Sequence, residues 1–301
     1  MNDANLALID QFIGHLANER RLSPHTQSNY GRDLRQLAEW SAKQGIENWQ
    51  ALSTPHVRAF AAAHFRSGKS PRSISRMLSA ARAFYHYLVR EALASINPVV
   101  GVSAPKAQKR LPGTLDADSM AALLAIEGDD ALTRRDRAIL ELLYSSGLRL
   151  AELVNLEIGD IDLADRTARV TGKGSKQRVV PVGRKAIAAL HQWLAVRGMW
   201  ATPDTQAMFV SNRGNRISHR AVQLRVTHWA RVQGIDSRVY PHLFRHSFAT
   251  HVLESSRDLR GVQELLGHAD IGTTQIYTHL DFQHLAQIYD EAHPRAKRRD
   301  D

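Results

Sequence analysis

Residues 240–278 read YPHLFRHSFATHVLESSRDLRGVQELLGHADIGTTQIYT, and this stretch concentrates histidine, arginine and tyrosine. His242 and Arg245 stand three positions apart, directly after a proline suited to the first turn of a helix, so both side chains should leave one face of that helix. His268 follows a glycine of the kind that ends helices, and Tyr277 comes nine residues later. We expect these four side chains to converge. Because no carboxylate cluster lies nearby, the spacing predicts a site for an anion.

Two further basic positions extend this prediction. Arg149 stands at a predicted helix start, where its guanidinium can point at an anion with the helix amides behind it. Glu152 lies one turn further along the same side, so a simple ion pair with Arg149 explains the spacing equally well. Lys173 lies in the turn GKGSK between two β-branched runs, 167–171 and 178–182, which predicts a β-hairpin with a basic tip. An exposed basic turn without a function is the alternative.

Length and charge bound the class of protein. The chain has 301 residues, of which 43% are hydrophobic, enough for two domains with buried cores. Lysine and arginine number 40 against 30 acidic residues, which favours a polyanionic partner such as nucleic acid over a basic protein without such a partner. The absence of cysteine excludes disulfides, thiolate metal sites and a cysteine nucleophile, and it is consistent with a cytoplasmic protein. We expect neither a signal peptide nor a membrane span, because no apolar run reaches about 18 residues.

The distribution of hydrophobic residues predicts two domains. Four amphipathic helices are expected in the N-terminal part, the first over 6–16. The other three begin with a hydroxyl residue followed by proline, at Ser23-Pro24, Thr54-Pro55 and Ser70-Pro71. Over 95–112 the periodicity gives way to prolines, glycines and basic residues, which predicts a linker. We therefore predict a helical DNA-binding domain over 1–94 and, over 113–301, a mainly helical domain with a small β-hairpin.

One face of the fourth N-terminal helix is basic. Arg72, Arg76 and Arg82 lie off its apolar stripe. Such a face can follow a DNA groove, or it can be an ordinary solvated face, and the segment by itself does not distinguish the two.

The predicted cluster suits phosphoryl transfer. Two arginines match the fork geometry of phosphate oxygens and can stabilise a five-coordinate transition state. Histidine can donate to the same oxygens or move a proton, and a tyrosine in basic surroundings can attack as a phenolate. Attack of Tyr277 on DNA would leave a covalent phosphotyrosine that retains the bond energy. Rejoining then needs neither ATP nor a metal, so we expect no cofactor.

A zinc site is the other interpretation of the histidines, through His242, His246, His251 and His268. The spacing disfavours it, because His246 and His251 are five positions apart, an HExxH motif is missing and two arginines among them would repel a dication. Each residue alone also has a structural explanation, such as packing for Tyr277 and helix capping for His268. The joint pattern favours the phosphate site.

Five motifs in order, GLRLAEL, TGKGSKQR, HLFRHSFATH, LLGH and YTH, resemble the tyrosine site-specific recombinase family, also called the phage integrase family. The resemblance covers essentially the whole chain. It implies a two-domain DNA clamp, with a four-helix SAM-like core-binding domain and a catalytic domain. It also implies a nucleophile, Tyr277, that forms a 3′-phosphotyrosine, and a catalytic set of Arg149, Lys173, His242, Arg245 and His268. Lys173 would be the general acid toward the 5′-hydroxyl, Glu152 would support the site, and His268 is a variant of a position that is often tryptophan.

The same resemblance implies the partners. The substrate would be a double-stranded DNA recombination site, and the partner a paralogous recombinase in a heterotetramer of two plus two that resolves chromosome and plasmid dimers at cell division. A septal DNA translocase would act indirectly, and the last helix would dock on the next protomer. The alternatives are a type IB topoisomerase-like enzyme, a phage-type integrase, and a DNA-binding protein whose arginines only grip phosphates.

Overall fold

The computed structural model describes residues 3–20, 22–106, 114–172, 176–256 and 261–262. The chain divides into two compact units, Met1–Lys109 and Arg110–Asp301. The first unit is helical, and the second is mainly helical with one small antiparallel sheet. The predicted fold class is therefore confirmed. None of the helices in the described ranges combines the length and apolarity needed to cross a bilayer.

Over its described residues, the first unit has four α-helices: α1 Asp3–Asn18, α2 Pro24–Lys43, α3 Thr54–Arg66 and α4 Pro71–Arg90. A short 3₁₀ helix, Trp49–Ala51, precedes α3. Helices α2 and α4 begin as predicted, because the hydroxyls of Ser23 and Ser70 accept hydrogen bonds from backbone amides in the first turn. The predicted cap of α3 was wrong by one residue. Ser53 takes that position, and the Thr54 hydroxyl instead donates to the carbonyl of Pro98, 3.0 Å away.

Part of the predicted linker packs on this unit. Val99 and Val102 are buried in its hydrophobic core. The carbonyl of Val102 accepts a hydrogen bond of 2.9 Å from Arg82 Nη2. The valines belong to no periodic run, which is why hydrophobic periodicity does not identify them as core residues. The domain boundaries at 94, 95–112 and 113 stay predictions.

Two of the three arginines on the basic face of α4 have structural roles. Arg76 donates through Nε and Nη2 to the two carboxylate oxygens of Asp33, each at 2.9 Å, and Asp33 is buried. Arg82 holds the carbonyl of Val102. Both contacts join residues far apart in the chain, so neither the DNA-facing nor the solvated interpretation of this face predicted them. Arg72 is exposed.

The described part of the second unit contains six α-helices, a short 3₁₀ helix at Ile158–Asp160 and the sheet. The helices are α5 Ala117–Leu124, α6 Ala131–Ser145, α7 Leu150–Asn155, α8 Arg184–Arg197, α9 His219–Val232 and α10 Pro241–Ser256. The strands are β1 Ile161–Asp162, β2 Thr167–Thr171 and β3 Gln177–Pro181, in the order β1-β2-β3 and antiparallel throughout. The predicted hairpin is β2 and β3, closed by a hydrogen bond of 2.7 Å from the Gly172 amide to the Lys176 carbonyl. Strand β1 is too short to leave a sequence pattern.

Helix α6 is the centre of the second unit. It is buried on nearly every side, and its apolar residues such as Ile139 and Leu143 are fully enclosed. Its buried Asp136 accepts hydrogen bonds from Arg225 and from the indole of Trp229, both on α9. A buried carboxylate must be paired in this way, since an unpaired charge in a core is strongly unfavourable. The end of α6 leads into the turn that carries Arg149.

Candidate active site

Arg149 lies at the N-cap position of α7 and is joined to Glu152 one turn later. Glu152 Oε2 accepts the backbone amide of Arg149 at 2.9 Å, and Oε1 accepts Arg149 Nη1 at 2.8 Å. The ion pair that the sequence offered as an alternative therefore exists. The pair does not bury the arginine, because 38% of the Arg149 side chain remains exposed to solvent. The Arg149 side chain is thus held by Glu152 and remains partly exposed.

Arg178 is a member of the site that the sequence analysis missed. From strand β3 it donates Nη1 to Glu152 Oε1 at 2.7 Å and Nη2 to Glu152 Oε2 at 3.0 Å. The alternation of the strand was the signal that could have found it, because Arg178 shares a face with the buried Val180. The buried carboxylate of Glu152 therefore receives hydrogen bonds from two arginines. Burial by itself would raise the pKa of Glu152, but the hydrogen bonds and charge of Arg178, helped by Arg149, lower that pKa below its ordinary value.

Arg245 joins the same cluster from α10. Its side chain is buried, and its Nη1 donates to the carbonyl of Gly147 at 2.7 Å. The pKa of Arg245 is lowered to about 10, mainly by burial and next by repulsion from Arg149. Arg178 lowers this pKa further, whereas Glu152 raises it. The guanidinium nevertheless remains charged at neutral pH. We call Arg149, Glu152, Arg178 and Arg245 the arginine cluster.

Gly147 is required by the approach of α10 to this turn. Its φ is +56°, and a Cβ added there would lie 2.6 Å from Cδ1 of Phe248, one turn beyond Arg245 on α10. Only glycine satisfies both the left-handed backbone and the close contact. The glycine thus lets Arg245 reach the turn that presents Arg149.

Replacing Gly147 by alanine should lower the free energy of unfolding by about 2–4 kcal/mol, the sum of backbone strain and overpacking against Phe248. Gly234→Ala is the matched control, because Gly234 has a similar φ of +66° and open space around its Cβ position. It should cost only the strain, about 1–2 kcal/mol. Chemical denaturation of both variants measures the difference. Equal losses in the two variants would show that the contact with Phe248 contributes nothing.

The histidines of α10 have different environments. His242 is exposed at the start of α10, one turn before Arg245, where the sequence predicted it. His251 is buried, and its Nδ1 lies 2.8 Å from the hydroxyl of Tyr144. Over the described ranges, no three histidine, aspartate or glutamate side chains lie close enough together to hold a metal ion. His251 is therefore part of the core of the second unit.

Three predicted site residues, Lys173, His268 and Tyr277, lie outside the described residues, and their roles stay predictions. The residue before Lys173 is described. A Cβ added at Gly172 would lie 3.7 Å from Glu152 Oε1 and 3.8 Å from Arg178 Nη1. The end of strand β2 therefore adjoins the arginine cluster.

The charge of the arginine cluster suits a phosphodiester. Three guanidiniums and one carboxylate leave a formal excess of two positive charges, fixed by hydrogen bonds before any ligand arrives. Addition of an anionic nucleophile to a phosphodiester creates a doubly negative transition state. Fixed cations that match this developing charge stabilise it without reorganisation. The cluster can therefore promote transfer of a phosphoryl group.

The fold and the arginine cluster are those expected of an enzyme that acts on a phosphodiester. Residues 9–92 match the phage integrase N-terminal SAM-like domain, and residues 113–284 match the phage integrase family. The chain belongs to the phage integrase family of site-specific tyrosine recombinases, enzymes that bind DNA and cut and rejoin its strands.

Individual relatives agree with this assignment. The chain is 54% identical over 292 residues to tyrosine recombinase XerC of Pseudomonas fluorescens, covering 96% of this chain and 97% of that protein. It is 50% identical to tyrosine recombinase XerC of Actinobacillus pleuropneumoniae, covering 95% and 93%. Among solved structures, XerA recombinase matches with 27% identity and a TM-score of 0.50, over 96% of this chain and 99% of that one. XerH bound to a palindromic difH substrate shares the fold, with 22% identity and a TM-score of 0.70, over 94% and 84%.

Proposed function

We propose that this recombinase is the XerC-type member of a pair, which acts with a XerD-like paralogue to resolve chromosome and plasmid dimers at cell division. The observation that carries the proposal is the 54% identity to XerC along nearly the full length of both chains. The pair would form a heterotetramer of two plus two on a double-stranded recombination site. We place it in the cytoplasm, with a septal DNA translocase acting indirectly.

The proposed cleavage begins with binding of the scissile phosphate. Arg149 and Arg245 hold its non-bridging oxygens by charge-assisted hydrogen bonds. The phenolate of Tyr277 attacks phosphorus, so a bond forms between the tyrosine oxygen and phosphorus while the bond to the 5′ oxygen breaks. The product is a 3′-phosphotyrosine and a free 5′ end. The partly exposed side chain of Arg149 and the buried charge of Arg245 support this role.

Proton transfer falls to the other predicted residues. Lys173 gives a proton to the leaving 5′ oxygen, and His242 and His268 donate to the phosphate oxygens or move the tyrosine proton. In the second step, the 5′-hydroxyl of a partner strand attacks the phosphotyrosine and releases Tyr277. The bond energy is conserved through both steps, so the scheme contains no cofactor.

Mass spectrometry of a trapped adduct tests this scheme. In a nicked suicide substrate, the short fragment that carries the free 5′-hydroxyl dissociates after cleavage, so the enzyme stays covalently attached to the DNA. We expect the modified peptide to contain Tyr277. The reaction should proceed at full rate in the presence of a chelator of divalent ions. An adduct on another residue, or strand breakage that depends on a metal, would refute the mechanism.

Strand exchange separates recombination by a pair from the alternatives. A XerC-type enzyme should exchange strands between two duplexes only when its XerD-like paralogue is present. A type IB topoisomerase-like enzyme would relax supercoiled DNA without a second duplex, and a phage-type integrase would recombine without the paralogue. Exchange by this chain alone would therefore overturn the partner assignment and leave the chemistry intact.

A further inference from the structure

We infer that Arg178 is a positioning residue for recombination, which clamps Glu152 and through that carboxylate holds the Arg149 guanidinium in place for the scissile phosphate. The inference rests on the role proposed above for Arg149. Arg178 belongs neither to the predicted catalytic set nor to the residues expected to touch DNA.

The geometry shows where the hydrogen-bonding capacity of Arg178 goes. Both terminal nitrogens are bonded to Glu152, and only 8% of the side chain is exposed. Its Nε is buried, with no hydrogen-bond partner among the described residues. Leaving that N–H unpaired costs free energy, and the two charged hydrogen bonds to Glu152 offset this cost. Arg178 is thus placed to orient a carboxylate rather than to bind a ligand directly.

Glu152 in turn contacts Arg149 through both of its oxygens. Oε1 is shared by the guanidiniums of Arg149 and Arg178, and Oε2 by the Arg149 amide and Arg178. Because Arg178 fixes the carboxylate from the side of β3, Glu152 holds the Arg149 side chain in the direction seen here, with part of it exposed. A freely rotating carboxylate could instead wrap around Arg149 and withdraw it. Small displacements of a phosphate-binding group are costly, since about 1 Å can reduce a rate about 100-fold.

Arg178 also keeps the carboxylate charged. Among the residues that the structure describes, the charged groups that face Glu152 are Arg149 at the N-cap of α7, Arg178 on β3 and Arg245 on α10. Among them Arg178 lowers the pKa of Glu152 most, against a burial that raises it. Removing Arg178 should therefore raise the pKa of Glu152. A protonated Glu152 has lost the charge that holds Arg149, so cleavage should weaken as the pH falls.

The test is single-turnover cleavage of the suicide substrate by Arg178→Gln from about pH 5 to pH 8, beside Glu152→Gln and the double variant. We expect Arg178→Gln to cleave about 10- to 100-fold more slowly at saturating DNA, with the Kd for DNA within about twofold of wild type. The ratio of its rate to the wild-type rate should also fall as the pH is lowered, because protonation of Glu152 adds to whatever pH dependence the wild-type enzyme has. Because Glu152→Gln has no charge to lose, the double variant should lack this added acid sensitivity. The fold-reduction in its cleavage rate should equal the larger of the two single-variant reductions and not their product.

Arg216→Gln is the matched control. Arg216 anchors the other end of α7 by donating to the carbonyl of Val154 at 2.9 Å and that of Leu156 at 3.2 Å. The Arg216→Gln substitution should lower the free energy of unfolding without making the cleavage rate more sensitive to acid than that of the wild type. If Arg216→Gln reproduces the behaviour of Arg178→Gln, or if the losses in the double variant multiply, Arg178 is structural only and the inference is overturned.

Arg178→Lys covers the case in which the glutamine variant does not fold. Lysine keeps the positive charge but cannot donate to both Glu152 oxygens as the guanidinium does. We therefore expect a reduced cleavage rate with the same pH dependence as the wild type. Added acid sensitivity or a wild-type rate in the lysine variant would contradict the inference. Wild-type protein that forms no adduct at Tyr277 would instead refute the proposed function, which keeps the two failures distinct.

Discussion

Replacing Tyr277 by phenylalanine should abolish covalent attachment to DNA, with a loss of cleavage of at least about 10⁴-fold and a Kd for DNA within about twofold of wild type. The physical reason is that phenylalanine keeps the ring and its packing but lacks the oxygen that attacks phosphorus. Affinity comes instead from arginines and lysines that contact phosphates over the whole site. Cleavage is measured on the nicked suicide substrate, and Kd by titration at the same salt concentration.

Tyr240→Phe is the control for the Tyr277 substitution. Tyr240 is an exposed tyrosine just before α10, so the two variants make the same chemical change in one stretch of the chain. Tyr240→Phe should cleave as the wild type does. Covalent adducts formed by Tyr277→Phe would identify another nucleophile, and unchanged recombination by that variant would favour the DNA-binding protein without catalysis.

Replacing Arg245 by methionine should reduce cleavage about 10²- to 10³-fold, because a fixed donor to the phosphate oxygens is lost. The free energy of unfolding should change by less than about 2 kcal/mol. Burial and the neighbouring arginines lower the pKa of Arg245 to about 10, which means that the fold disfavours its charge. An apolar side chain of similar length relieves that cost, while the Gly147 carbonyl loses its donor. Activity should therefore be lost without a comparable loss of stability.

Arg197→Met is the matched control for Arg245→Met. Arg197 is equally buried, donates to the carbonyls of Ala207 and Thr205, and has a pKa lowered by burial alone. Its loss should leave cleavage per folded molecule near the wild-type rate. The pair is compared by denaturant unfolding and single-turnover cleavage. A similar loss of cleavage in both variants would mean that Arg245 supports the fold and not the chemistry.

Local chemistry made the helices of this chain predictable. Serine caps and prolines in the first turn identified the starts of α2 and α4, because these interactions involve only neighbouring residues. The start of α3 was wrong by one residue where a distant contact intervened, between Thr54 and the carbonyl of Pro98. The same limit explains Arg76, whose partner Asp33 lies 43 residues away.

The sequence by itself determined the family, the order of the motifs, and the placement of Arg149 and Arg245 at the starts of two helices. Only the tertiary structure decided how these residues are held. Glu152 has four hydrogen bonds from two arginines, one of them 26 residues away on a strand. Arg245 reaches a carbonyl 98 residues away because Gly147 leaves room for Phe248. A motif records which side chains are present, whereas burial and long-range pairing set their direction, charge and exposure.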